Sequence, residues 1–204
     1  MNLPNFLTTI RMALVPVFIV FFYQGQNESL SYGPGGARYY FFLAFVVFLI
    51  AAATDAVDGY IARKRNLITN FGKLMDPLAD KVLTTAAFIV FVDVHAIPAW
   101  MVIVILAREF IITGLRGVAA SEGVVIAAGL SGKLKTVFQM VAICLILLGA
   151  ALGGEINEFG FGNLSGFGAF VEGAAFICLW AAVIFTVYSG IEYLWKGRKM
   201  LNLK

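Results

Sequence analysis

Asp55-Ala-Val-Asp58-Gly59-Tyr-Ile-Ala62-Arg63, followed eight residues later by Gly72-Lys-Leu-Met-Asp76-Pro-Leu-Ala-Asp80, sets four carboxylates into an otherwise strongly apolar chain. At about 100° per residue, Asp55 and Asp58 lie about 60° apart on a helix, with Gly59 and Ala62 on the same face. Asp76 and Asp80 stand one turn apart on the next helix. A short turn joins the two, so they are expected to run antiparallel as neighbours, with all four carboxylates converging at one end of the pair.

The surrounding composition says what kind of end that is. Of 204 residues, 61% are hydrophobic and only 13% charged, and the mean hydropathy is +0.90. A soluble domain carries about 25% charged residues, so an ordinary soluble fold is excluded. Six bilayer spans are expected, at about 10–24, 37–63, 72–93, 97–119, 133–152 and 168–195. Breakers separate them: Gly33-Pro34-Gly35-Gly36, Pro98, Gly129 to Gly132, and a Gly-rich stretch 153–168 read as a loop. No cleavage site follows Phe22, so the first span is read as an uncleaved helix. One membrane domain over 1–204 is expected, with an N-terminal interfacial segment 1–9. With both termini cytoplasmic, 14 Lys and Arg residues fall on or near the cytoplasmic side and only Arg38 outside, as the positive-inside rule requires. The reading is therefore an all-α, multi-pass protein of the cell (inner, cytoplasmic) membrane. Its aspartates lie within the cytoplasmic leaflet, since Asp55 is about 25 Å of helix from Arg38.

Ionised side chains at that depth cost roughly 2.5–3.5 kcal/mol each on insertion scales, and like charges repel further. Bound cations are the natural offset. Hard oxygen donors suit Mg²⁺, Mn²⁺ or Ca²⁺, and four carboxylates suffice to bridge two ions around a phosphoryl group. Gly59 and Ala62 leave room for a bulky ligand, and Arg63 supplies a bidentate phosphate donor. Spacing alone leaves open a helix-end charge cluster or a structural ion-pair network.

The segment 55–80 resembles the signature of the CDP-alcohol phosphotransferase family at all eight signature positions. That resemblance implies six transmembrane helices and two divalent cations, Mg²⁺ or Mn²⁺, held by Asp55, Asp58, Asp76 and Asp80. Asp80 would also be the general base. It implies contacts to the CDP-lipid from Gly59, Ala62, Arg63, Thr69 and Gly72, and from Asn5 and Thr8 in the N-terminal segment, with Arg11 one turn on. Read without the family, Asn5 and Thr8 are equally well helix caps. The family often forms homodimers, and the uncharged faces of spans 5 and 6 are available for one.

The acceptor must be read from the segments 108–136. Arg108 and Arg116 lie about 80° apart on span 4 and can flank one cavity. Lys133 and Lys135 are about 200° apart if helical, so only one is expected to point inward. Such cations beside a metal site suggest an acceptor with its own phosphate, although lipid head-group binding uses the same residues. Arg108-Glu-Phe-Ile-Ile-Thr-Gly-Leu-Arg116, Gly132-Lys-Leu-Lys-Thr136, the opening Met1-Asn-Leu-Pro-Asn5 and the closing Tyr188-Ser-Gly-Ile-Glu-Tyr193 are similar to those of bacterial family members that make phosphatidylglycerophosphate. The implied substrates are CDP-diacylglycerol and sn-glycerol 3-phosphate, in contact with membrane lipids and with no nucleic acid.

Rivals within the family would make cardiolipin, phosphatidylserine or phosphatidylinositol phosphate. The cations argue against an uncharged acceptor but do not exclude inositol phosphate. A cation or proton transporter is the rival from another class. It needs polar residues continuing outward, and span 3 offers only Thr84 and Thr85 between Lys81 and Asp93. Cys144 and Cys178 are read as small buried hydrophobes and His95 as an interfacial residue. Tyr193, Trp195, Lys196 and Arg198 are read as the interfacial stop of span 6. The Phe and Trp residues are expected mostly at the lipid surface.

Overall fold

Backbone polar groups in lipid must be satisfied within the chain, so long apolar runs fold as helices. The computed structural model describes the backbone of residues 3–65, 70–121, 129–153, 155–157, 160–162 and 166–200, and the side chains of 8–33, 35–54, 81–119, 129–153, 156 and 166–195. The described backbone forms six helices: α1 (Leu3–Tyr32), α2 (Pro34–Arg65), α3 (Asn70–Asp93), α4 (Ala99–Ser121), α5 (Leu130–Ala151) and α6 (Phe167–Met200). Among the described residues, four stretches are long and apolar enough to cross a membrane: Thr8–Tyr32, Gly35–Thr54, Leu130–Ala151 and Phe167–Trp195. The charges of the signature and of the Arg108 segment sit on α3, α4 and the end of α2.

The expected break between the first two spans is present but far shorter than read. Instead of an open stretch from 24 to 38, α1 runs to Tyr32 and α2 restarts at Pro34. Gly33 alone separates them, at φ +80°. Its N–H donates to the Ser29 carbonyl at 3.0 Å, closing the C-terminus of α1 as a left-handed glycine does. Pro34 follows at a first helical position, where its missing N–H costs nothing. A second difference lies in the Gly-rich 153–168 stretch. It contains a short antiparallel hairpin, β1 (Glu155–Asn157) with β2 (Gly160–Gly162), pairing Ile156 with Phe161.

The aromatic residues divide in a way that composition did not indicate. Phe18, Phe22, Phe41, Phe48, Phe88 and Phe91 are fully buried, whereas Phe42, Phe110, Phe167, Phe170 and Phe176 are exposed. Phe22 is the centre of the buried set, with ring centroids 5.4 Å from Phe41, 5.7 Å from Phe91 and 6.2 Å from Phe18. Membrane helices gain association mainly from close packing, and wide rings from α1, α2 and α3 fill the space between them. The Tyr23 hydroxyl donates to Asp93 Oδ2 at 2.8 Å, pinning α1 to the end of α3.

Among the described residues, α1 packs most broadly on α2 and α5 on α6; α2 also meets α5, α3 meets α1, and α4 meets α6. α2 and α3 meet only narrowly among the described residues. At the α3–α4 turn, exposed His95 adopts φ 61°, and the Ala96 N–H reaches the Phe91 carbonyl at 2.9 Å.

Gly25 of α1 packs directly under the Phe41 ring of α2. A Cβ built there would lie 2.9 Å from Phe41 Cδ1, and Phe41 is only 1% exposed, so the ring has nowhere to go. Gly25→Ala is expected to destabilise the protein by about 1–3 kcal/mol. Gly35→Ala, where a Cβ meets nothing within 4 Å, should leave the melting temperature of the detergent-solubilised protein unchanged. Equal melting of both variants would contradict the packing.

Candidate active site

The backbone places Asp55, Asp58, Gly59, Ala62 and Arg63 toward the C-terminal end of α2, and Gly72, Asp76 and Asp80 in the first part of α3. Spacings of three and four residues put each aspartate pair on one helix face. The side chains of these residues lie outside the described ones, as do that of Asn5 and the whole of Thr69. Among the described residues no group of three or more His, Cys, Asp or Glu gathers around one point.

The described side chains of α3 begin at Lys81, next in the chain to Asp80. Its ammonium hydrogen-bonds to Thr113 Oγ1 on α4 and lies 3.5 Å from Glu109 Oε2. Arg108 Nη1 is 3.7 Å from Glu109 Oε1, and the Lys135 ammonium from α5 is in direct contact with that same oxygen. One carboxylate therefore gathers cations from α3, α4 and α5. The Lys135 side chain is 4% exposed and that of Arg108 10%. Below them Gln139 is buried, and its Nε2 has no protein hydrogen-bond partner among the described residues. It lines a cavity of about 50 Å³ with Lys81, Thr84, Thr85, Glu109 and Thr136.

The Arg108 side chain runs close along two glycines. A Cβ on Gly132 would lie 3.4 Å from its Nη2, and one on Gly190 would lie 3.4 Å from its Cγ. The guanidinium carbons of Arg108 and Arg116 stand 5.6 Å and 5.8 Å from the centroid of the Tyr193 ring. The electron-rich face of that ring offsets part of the repulsion between the two cations. Ser131 donates to Glu192 Oε2 at 2.6 Å, tying the start of α5 to the end of α6.

The two lysines of the Gly132-to-Thr136 segment part company: Lys135 is buried and Lys133 exposed. Arg116 is exposed on the helix but shares Tyr193 with Arg108. Thr8 lies inside α1, not at its cap, and both Thr8 and Arg11 are buried, at 2% and 1% exposure.

Residues 1–188 match the family model described as CDP-alcohol phosphatidyltransferase. This chain belongs to that family. It is 44% identical over 205 residues to the CDP-diacylglycerol–glycerol-3-phosphate 3-phosphatidyltransferase of Bacillus subtilis (strain 168), covering 98% of this chain and 99% of the relative. It is 36% identical over 210 residues to the protein of the same name from Haemophilus influenzae, covering 100% and 98% of the two chains. It is also 36% identical over 194 residues to a probable phosphatidylglycerophosphate synthase of Mycobacterium tuberculosis, covering 95% and 80%.

Sequence reading missed part of this cluster. Tyr193, taken for an interfacial anchor, is only 6% exposed and carries both arginines. Glu109 was not singled out, although an acid within an apolar helix is itself a signal of function. Ser131, Gln139 and Glu192 carried no spacing signal, because their partners lie on other helices. The burial difference has a direct consequence. In the detergent-solubilised protein an amine-reactive ester should modify Lys133 and spare Lys135, as read by peptide mass mapping. Comparable labelling of both would contradict the position of α5.

Proposed function

We propose that this family member transfers the phosphatidyl group of CDP-diacylglycerol to sn-glycerol 3-phosphate, giving phosphatidylglycerophosphate and CMP. The glycerol hydroxyl oxygen attacks the lipid-side phosphorus of the pyrophosphate. The bond from that phosphorus to the bridging oxygen breaks, and CMP leaves. Asp80 takes the hydroxyl proton. The donor set of Asp55, Asp58, Asp76 and Asp80 is all hard oxygen, from two consecutive helices, and fits two divalent cations, Mg²⁺ or Mn²⁺. Such ions neutralise pyrophosphate charge and acidify a nearby hydroxyl. Gly59, Ala62, Arg63, Thr69 and Gly72, with Asn5 and Thr8, make the CDP-lipid pocket. Buried Arg11, one turn beyond Thr8, adds a positive charge on that side of the bundle.

One observation carries the acceptor: Lys81, the residue directly after Asp80, converges with Arg108 and Lys135 within reach of one carboxylate. Arg108 and Lys135 hold the acceptor phosphate, Arg116 flanks it from across Tyr193, and Lys133 stands at the rim. Buried Arg108 Nε and Gln139 Nε2, without protein hydrogen-bond partners among the described residues, are donors suited to an oxygen-rich ligand. An acceptor with no phosphate monoester of its own, such as serine, would offer these cations no dianion to bind. Positioning and charge neutralisation supply most of the rate.

The same reading makes all six helices spans, with both termini and the site at the cytoplasmic face of the cell membrane. α3 and α4, at 24 and 23 residues, are long enough at about 1.5 Å per residue to cross a hydrocarbon core of about 30 Å. The exposed apolar face of α6, including Ile177, Ile184 and Ile191, is suited to a homodimer contact.

Purified protein given CDP-diacylglycerol, Mg²⁺ and a panel of alcohols should release CMP fastest with glycerol 3-phosphate. Faster release with serine, inositol phosphate or phosphatidylglycerol would overturn the acceptor assignment. Asp80→Asn should lower kcat by about a hundredfold or more with the fold intact. Arg108→Ala should raise the KM for glycerol 3-phosphate by about tenfold or more while sparing that for the CDP-lipid. A normal acceptor KM in that variant would remove Arg108 from the pocket.

A further inference from the structure

Glu109 takes no part in the chemistry above, yet three cations from three helices meet it. Lys81 Nζ is 3.5 Å from Oε2, Arg108 Nη1 is 3.7 Å from Oε1, and the Lys135 ammonium touches Oε1. Exposure rises across the set: 4% for the Lys135 side chain, 10% for Arg108, 18% for Glu109 and 31% for Lys81. The cluster is therefore closed at Lys135 and open toward Lys81, the neighbour of Asp80. Among these four side chains the formal charges are three cations and one carboxylate, a set suited to a phosphate monoester dianion.

The two inner cations differ in what holds them. Arg108 runs close along Gly132 and Gly190 and sets its guanidinium over the Tyr193 ring, 5.6 Å from the centroid. Lys135 has a flexible four-carbon stem and a strongly hydrated ammonium, which extends toward water wherever no anion retains it. We infer that Glu109 is a positioning residue for the acceptor phosphate: it keeps the Lys135 ammonium inside the bundle beside Arg108 and sets the charge the incoming dianion meets. This rests on the acceptor pocket proposed above.

A double-mutant cycle on the full-length purified enzyme tests it, with steady-state kinetics for both substrates and gel filtration to establish folding. Glu109→Gln should raise the KM for glycerol 3-phosphate by about tenfold and leave that for CDP-diacylglycerol within about twofold. Glu109→Asp, which keeps the charge, should restore most of the loss. Lys135→Gln should raise the acceptor KM as well, and adding Glu109→Gln to it should raise it no further. Independent structural effects would multiply instead. A folded Glu109→Gln enzyme with normal acceptor KM, or a double variant whose effect is the product of the single ones, overturns the inference. If Glu109→Gln alone fails to fold, the comparison of the double variant with Lys135→Gln still decides, because both members of the pair are then neutral. Should neither Arg108→Ala nor Lys135→Gln alter the acceptor KM, the pocket itself is misplaced and the inference falls with it. Should both raise it while the Glu109 variants do not, only the role of Glu109 falls.

Discussion

A charge placed inside an apolar helical bundle must find its partner there, because an unpaired buried ion costs several kcal/mol. In this protein that constraint shapes one end of four helices. Glu109 on α4 meets Lys81 of α3 and Lys135 of α5, Arg108 and Arg116 share the ring of Tyr193 on α6, and Ser131 of α5 bonds Glu192 of α6. Elsewhere α1, α2 and α3 are joined by rings: Phe22 touches Phe18, Phe41 and Phe91. The apolar part of the fold needs only shape complementarity. The charged part needs each ion opposite a counter-ion, and so fixes side chains from separate helices at defined places.

Arg108 passes close to Gly132 of α5 and Gly190 of α6 and sets its guanidinium over Tyr193. An acidic residue beside it on the same helix, Glu109, then draws a lysine from α5 inward. The result is a compact, cation-rich pocket continuous in sequence with the last aspartate of the signature. That is the chemistry required of a site that must bind an anionic acceptor close to an anionic donor without leaving either charge uncompensated.

What the sequence disclosed follows from what is local. Apolar runs placed the helices, because backbone hydrogen bonding in lipid depends only on the segment itself. The spacing within Asp55–Asp58 and Asp76–Asp80 assigned each pair to one face for the same reason. Lys133 and Lys135 were separable as one inward and one outward residue by helical rotation, but which was which needed the position of Glu109 on another helix. Tyr193 looked like an interfacial aromatic because its two arginine partners are some eighty residues away in the chain. The break expected before Arg38 shrank to Gly33 because one left-handed glycine and a proline suffice to end one helix and begin the next. Which Phe residues are buried was not legible, since composition cannot tell a ring facing lipid from one facing a neighbouring helix.

The account depends on the ends of α2 and α3 delivering their carboxylates to one place beside this cationic pocket. Mn²⁺ titration of the purified protein, followed by electron paramagnetic resonance, reads that convergence directly. The account predicts two tightly bound ions with an exchange-coupled spectrum, lost together when Asp76 is replaced by Asn. A single weakly held ion with the spectrum of isolated aqueous Mn²⁺, unchanged by that substitution, would contradict it.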